Sequence, residues 1–168
     1  MRFKPCLWAA LLGLWVSCVF ADTLTGIVIE VSDGDTVKML DGDQRQQTVR
    51  LAGIDAPEKS QDFGLRAKSQ LSLLCLHQAV EADVRTMDRY GRTVARVRCN
   101  GVDAANKMLQ EGLAWHFTRY ALTQPRHEAV SDKEAQDLAK KAGLGLWSVS
   151  EPISPWDWRV QQRERRAH

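Results

Sequence analysis

The chain lacks the excess of one charge that would by itself point to a polyanionic or polycationic partner. Its 23 Lys and Arg stand against 21 Asp and Glu, and two of those cations, Arg2 and Lys4, sit in an N-terminal stretch that reads as an address. A nucleic-acid partner must therefore be argued from where the charges lie, not from their sum. The chain also lacks an apolar run of the ~20 residues that a membrane span takes. Its one apolar stretch, from Cys6 to Phe20, is shorter, follows Arg2 and Lys4, and leads to Val19-Phe20-Ala21, a small-residue cleavage site. Residues 1–21 are expected to be a secretory signal peptide, with Asp22 as the new N-terminus and a secreted or periplasmic product; a retained anchor and a lipid-modified Cys18 are the alternatives. Cysteine is scarce. Cys6 and Cys18 leave with the signal, and His77, His116, His127 and His168 are scattered, so no four-ligand zinc spacing exists. Cys75 and Cys99 remain, as one bridge or two buried thiols; the exported compartment favours the bridge. No internal repeat or low-complexity stretch breaks the remainder, which is long enough for one domain with its own core.

What is present alternates. Thr23 to Val31 places Leu24, Ile27 and Ile29 among Thr and Gly, Thr36 to Leu40 continues as strand, Asp41-Gly42-Asp43 signals a turn, and Gln47 to Ile54 returns as a third strand. With an even loop, Asp35 and Arg50 point to one face. Phe63 to His77 reads as a helix with Leu65, Leu71, Leu74 and Cys75 near one stripe. Ala79 to Thr86 and Thr93 to Cys99 are the fourth and fifth strands, and Asn100-Gly101 is a tight-turn pair. Asp103 caps a short helix through Gln110 that ends at Gly112. Ser131-Asp132-Lys133-Glu134 has the form of a capping box and is expected to open a helix that stops at Gly143. The prolines of Pro152 to Trp158 argue against a helix there, and the basic tail beyond, with Arg159, Arg163, Arg165 and Arg166, is expected to be a solvated end or an electrostatic hold on nucleic-acid backbone. The fold expected is α+β, a five-stranded Greek-key barrel of OB type with about three helices. Its organisation is 1–21 signal, 22–151 barrel domain, and 152–168 Pro/Trp segment with basic tail.

The chemistry gathers between Asp33 and Glu58, in DGDTVK (33–38) and VRLAGIDAPE (49–58), with a second arginine in DRYGRTVA (88–95). Taken singly these are turns, a sheet arginine and a charged hairpin. Together they set carboxylates that suit a hard cation beside arginines that suit a phosphate, which suggests a phosphodiesterase.

These motifs, the segment from Val102 to Trp115 and the Ala142-Gly143-Leu144-Gly145-Leu146-Trp147 ending resemble the staphylococcal nuclease (thermonuclease) family over roughly Thr23 to Ser148. Pro155-Trp156-Asp157-Trp158-Arg159 resembles the ending of exported bacterial members. The resemblance implies a calcium-dependent endonuclease of DNA and RNA on an OB-fold barrel; the product is expected to be a monomer, free of the membrane once the signal is removed. It implies Asp35 and Asp55 as calcium carboxylates, with Ala56 ligating through its backbone carbonyl. Glu58 matches the general base, and Arg50 and Arg92 the two phosphate-gripping arginines. Arg89 and Tyr90 match residues that help hold substrate phosphate, and Tyr120 matches a second substrate tyrosine. Thr118 stands where the type member has a base-stacking tyrosine, the Asp35-to-Arg50 hairpin is one residue longer, and the loop after Glu58 is shorter. The alternative reading is a non-catalytic OB module that only binds nucleic acid, which would be expected to lack part of the acid, base and arginine set.

Overall fold

The computed structural model describes residues 23–118 and 124–167; the expected signal segment and Tyr120 lie outside them. In chain order the elements are β1 Thr23–Val31, β2 Thr36–Asp41, β3 Gln46–Leu51, β4 Ile54–Asp55, α1 Gly64–Cys75, β5 Ala79–Met87, β6 Thr93–Cys99, β7 Val102–Asp103, α2 Ala104–Gln110, β8 Trp115–His116, α3 Arg126–Lys141, a 3-10 turn Gly145–Ser148, and α4 Pro155–Ala167. β1 pairs antiparallel with both β2 and β5, β2 with β3 and β5 with β6. Parallel pairing of β3 with β6 (Val49↔Thr93 to Leu51↔Ala95) closes the ring. The result is the closed five-stranded mixed barrel expected from the strand pattern, with four α-helices among the described residues rather than about three.

The barrel closes around β-branched and aliphatic side chains that alternate inward. Val28, Val37, Val49, Leu51 and Val97 are fully buried, each stabilising the fold by roughly 1.5–3 kcal/mol relative to exposure. α1 plugs one end with Ala67, Leu71 and Cys75 buried. Leu65, placed on that stripe from sequence, is 68% exposed; the helix begins at Gly64 and turns Ala67 inward instead. Asn100 and Gly101 both take positive φ, 48° and 78°, the primed turn that the pair favours. Asp103 caps α2 by accepting the Asn106 N–H.

Two expectations fail. α3 begins at Arg126 after Pro125, so Ser131-Asp132-Lys133-Glu134 lies inside a helix, not at its start. Asp132 is buried there, gripped by Arg96, and losing that buried pairing would cost more than a cap at Ser131, worth about 1 kcal/mol, could return. The second is α4. Pro155 is its first residue, where a missing N–H is not needed and the fixed φ suits a helix. Ser154 Oγ accepts the Asp157 N–H and donates to the Asp157 carboxylate. The proline that argued against a helix starts one, and the basic tail through Ala167 is helical.

Cys75, ending α1, and Cys99, ending β6, form a disulfide with Cα atoms 5.2 Å apart and 24 residues of separation. In the chain-entropy account, closing a loop of this size removes about 3 kcal/mol of unfolded-state freedom. Replacing both cysteines by alanine is expected to lower urea stability by about that amount, and an unchanged midpoint would show that the bridge contributes nothing. Among the described residues no helix is long and apolar enough to cross a membrane.

Candidate active site

The site is built where β2 and β3 meet the chain that leaves them. Thr36 pairs with Arg50, and Leu51 N–H donates to the Asp35 carbonyl at 2.8 Å, which brings the side chains of Asp35 and Arg50 together. The single strand expected from Gln47 to Ile54 is interrupted: Gly53 turns the chain at φ 81°, a conformation glycine adopts without a Cβ penalty. Ile54 and Asp55 then pair with His116 and Trp115 of β8, so Asp55 is held by a ladder of its own. Ala56 N–H donates to Asp35 Oδ2 at 3.1 Å, drawing the following loop back over β2. Glu58 sits on that loop, and α1 begins directly beneath it. A Cβ on Gly64 would lie 1.9 Å from the Glu58 carbonyl oxygen, so only glycine lets the helix approach the loop this closely.

These elements line one cleft of about 400 Å³, formed by Asp33, Asp35, Arg50, Asp55, Ala56, Pro57, Glu58, Arg89, Tyr90, Arg92 and Arg159. Of the site residues expected from sequence, only Tyr120 is not placed, because it lies outside the described residues. Arg50 donates to the Ile54 carbonyl at 2.9 Å and the Leu51 carbonyl at 3.3 Å. Its other terminal nitrogen reaches Asp55 Oδ1 at 2.9 Å and Asp35 Oδ2 at 3.3 Å. Burial works against the Arg50 charge, but the facing carboxylates of Asp35 and Asp55 outweigh it and raise its pKa. Burial raises the pKa of Asp55, assisted by repulsion from Asp35 and opposed by its hydrogen bonds from Arg159 and the charge of Arg50. Asp33 is pushed up to about 6, first by burial and then by the charge of Asp35.

On the rim, Asp88 organises the β5–β6 turn: its Oδ1 accepts the N–H groups of Tyr90 and Arg92, and its Oδ2 accepts Arg92 Nε at 2.7 Å. Burial resists the Asp88 charge, yet the hydrogen bonds from Arg92 hold its carboxyl below the usual range. Arg89 donates to the Tyr90 hydroxyl at 2.7 Å, and its guanidinium lies 4.9 Å from the Tyr90 ring centroid. Tyr90 itself is exposed.

Among the described residues, no group of three or more His, Cys, Asp or Glu side chains is gathered to hold a metal ion. The expected set is smaller, two carboxylates and one backbone carbonyl, the remainder of a hard-cation shell being water. Its donors are all oxygen, and Asp35, Asp55 and Ala56 line the same cleft with Asp33 beside them. The residues present fit a hard divalent cation and not a soft one.

The chain read as sequence did not bring Arg159 or Asp33 into the site by role. Arg159 donates to Asp55 Oδ2 at 2.6 Å and Glu58 Oε1 at 2.8 Å. A signal for it existed: Ser154-Pro155-Trp156-Asp157 has an N-cap, a first-turn proline and a first-turn acid, the marks of a helix start.

The family described as "Staphylococcal nuclease homologue" matches residues 48–149. An uncharacterized 38.1 kDa protein of Capnoides sempervirens is 40% identical over 71% of this chain, which spans 33% of that relative's length. An uncharacterized endonuclease of Haemophilus influenzae is 38% identical over 81% of this chain and 73% of its own. The micrococcal nuclease of Shigella flexneri is 36% identical over 90% of this chain and 89% of its own. The chain thus spans a third of the plant protein and most of the two bacterial ones. The matched region runs from within β3 to the end of the 3-10 turn and holds every expected site residue except Asp35; barrel, cleft and match together establish that the chain belongs to the staphylococcal nuclease family.

Proposed function

We propose that this protein is a calcium-dependent endonuclease that hydrolyses phosphodiester bonds of DNA and RNA, exported and acting as a monomer. The observation that carries the reading is the convergence of Glu58, Asp35, Asp55, Arg50 and Arg92 on one open cleft. Export is supported by the charge and apolar pattern of residues 1–21 and by the Cys75–Cys99 bridge.

Asp35, Asp55 and the Ala56 carbonyl would hold calcium. When bound there it supplies the charge that polarises a phosphoryl oxygen. Glu58, with its side chain 42% exposed, accepts the proton of the attacking water. Arg92 offers paired N–H donors to the phosphate oxygens, and Arg50 offers its own as substrate draws them from the carboxylates of Asp35 and Asp55; these bonds strengthen as negative charge builds in the transition state. Arg50 is held against the Ile54 carbonyl and the two carboxylates, so it is oriented before substrate arrives. Arg89 and Tyr90 on the rim, and Tyr120, are assigned to holding the substrate strand.

The test is plasmid nicking with and without a calcium chelator. Cleavage is expected to vanish in excess chelator and return on adding calcium; full activity in excess chelator would remove calcium from the reading. Magnesium, smaller and stricter in geometry, is expected to restore less.

A further inference from the structure

Helix α4 reaches the catalytic cleft from the far end of the chain, and the structure shows what holds it there. Ser154 caps it through Asp157. Trp156 packs on Trp115 and Phe117, with ring centroids 5.6 Å apart in each case. Trp115 is the β8 residue paired with Asp55, so α4 rests on the strand that supports this carboxylate. Gln61, almost fully buried, donates to the Ile153 carbonyl at 2.6 Å while accepting the Glu58 N–H, which ties the chain entering α4 to the loop that carries Glu58. One turn beyond Trp156, Arg159 extends into the cleft and binds both Asp55 and Glu58.

The consequence lies in the oxygen atoms. Asp55 Oδ1 is held by Arg50 and Oδ2 by Arg159, while Glu58 Oε1 is held by Arg159. A divalent cation seated on Asp55 meets the Arg159 guanidinium at bonding distance from the same carboxylate, where like charges repel. The two cations therefore compete for one site.

We propose that Arg159 is a positioning residue of the active site, an internal counter-cation that orders Asp55 and Glu58 and is displaced from them by the divalent cation, so that cation binding loosens α4. This rests on the calcium reading above. It differs from a structural role for the helix, because competition must weaken cation binding. By linkage, whatever factor the cation costs Arg159 in its grip, Arg159 costs the cation in affinity.

The test uses the signal-free chain and no nucleic acid. Calcium binding is measured by calorimetry for the parent, Arg159→Gln and Arg159→Lys at low ionic strength. Arg159→Gln is expected to bind calcium on the order of tenfold tighter, a typical coupling between linked sites, with Arg159→Lys intermediate because it keeps the charge without the planar fork. In the parent alone, hydrogen exchange of the amides in α4 is expected to quicken when calcium is added; this readout does not depend on a variant folding. Equal or weaker calcium binding by folded Arg159→Gln overturns the inference and leaves the calcium reading standing, as does α4 exchange in the parent that calcium leaves unchanged or slows. No calcium uptake by parent or variants overturns both.

Discussion

Glu58→Gln and Arg50→Lys are each expected to cut turnover by about 10²–10⁴, the range associated with losing a general base or a preorganised charge donor. Glutamine preserves the shape of Glu58 but cannot take a proton near neutral pH. Because the Glu58 side chain is 42% exposed, the change opens no cavity, and the fold is expected to survive it. Arg50 differs. Its guanidinium serves two backbone carbonyls and two carboxylates at once, and a lysine ammonium cannot span all four. Arg50→Lys is therefore expected to lose stability as well as rate, by roughly 1–3 kcal/mol for imperfectly paired buried groups. Single-turnover cleavage of a short single-stranded DNA, with circular dichroism and urea unfolding alongside, separates the two effects. If folded Glu58→Gln cleaves at the parent rate, Glu58 is not the base and the mechanism fails.

The second large effect concerns folding. Asp132→Ala is expected to destabilise the protein by about 3–5 kcal/mol, the penalty of leaving one member of a buried ion pair alone. Arg96 and Asp132 are 2% and 0% exposed. Two guanidinium nitrogens meet the two Asp132 oxygens at 2.6 and 2.8 Å, and Arg96 Nε meets Asp103 at 2.6 Å. Asn106 and Gln124 donate to the same carboxylate, so its removal takes an acceptor from three side chains. The pair joins β6, α2 and α3, and Asp132 abuts the Gly53 turn that aims Asp55 into the cleft.

The same carboxylate sets a pH dependence. Burial opposes its charge, but the hydrogen bonds and charge of Arg96 prevail and its pKa is lowered in the fold. Its contribution is complete above the unfolded value near 4 and is lost as pH falls through the lower folded value. Urea unfolding at neutral and acid pH is expected to show the parent losing this contribution in acid, and Asp132→Ala a shallower decline. A parent-like midpoint for Asp132→Ala at neutral pH would show that the network contributes nothing. Replacing Arg96 and Asp132 together by apolar residues is expected to recover much of the loss, since no charge is then left buried and unpaired.

The amino-acid order by itself determined the features whose causes are local. Alternation of β-branched residues marked the five long strands, and their starts and ends fell within two or three residues of the observed ones. Asn100-Gly101 and the Asp103 cap were legible because turn and cap chemistry act within a few residues. The membership of the cleft was also legible, because Asp35, Arg50, Asp55, Glu58 and Arg92 fall within motifs whose resemblance to a known family assigned their roles before any contact was known.

Other features were decided by contacts between segments distant in the chain. The barrel closes through parallel pairing of β3 with β6, which no alternation pattern encodes. Ser131-Asp132-Lys133-Glu134 has the letters of a cap, yet the buried grip of Arg96 on Asp132 makes it helix interior. Arg159 is separated from Asp55 by 104 residues and from Glu58 by 101. Its place follows from Pro155 starting a helix and Trp156 finding Trp115 and Phe117. Local periodicity states which face of an element is apolar or charged; which distant face it meets depends on burial and charge pairing summed over the whole fold, and those sums exist only in the assembled structure.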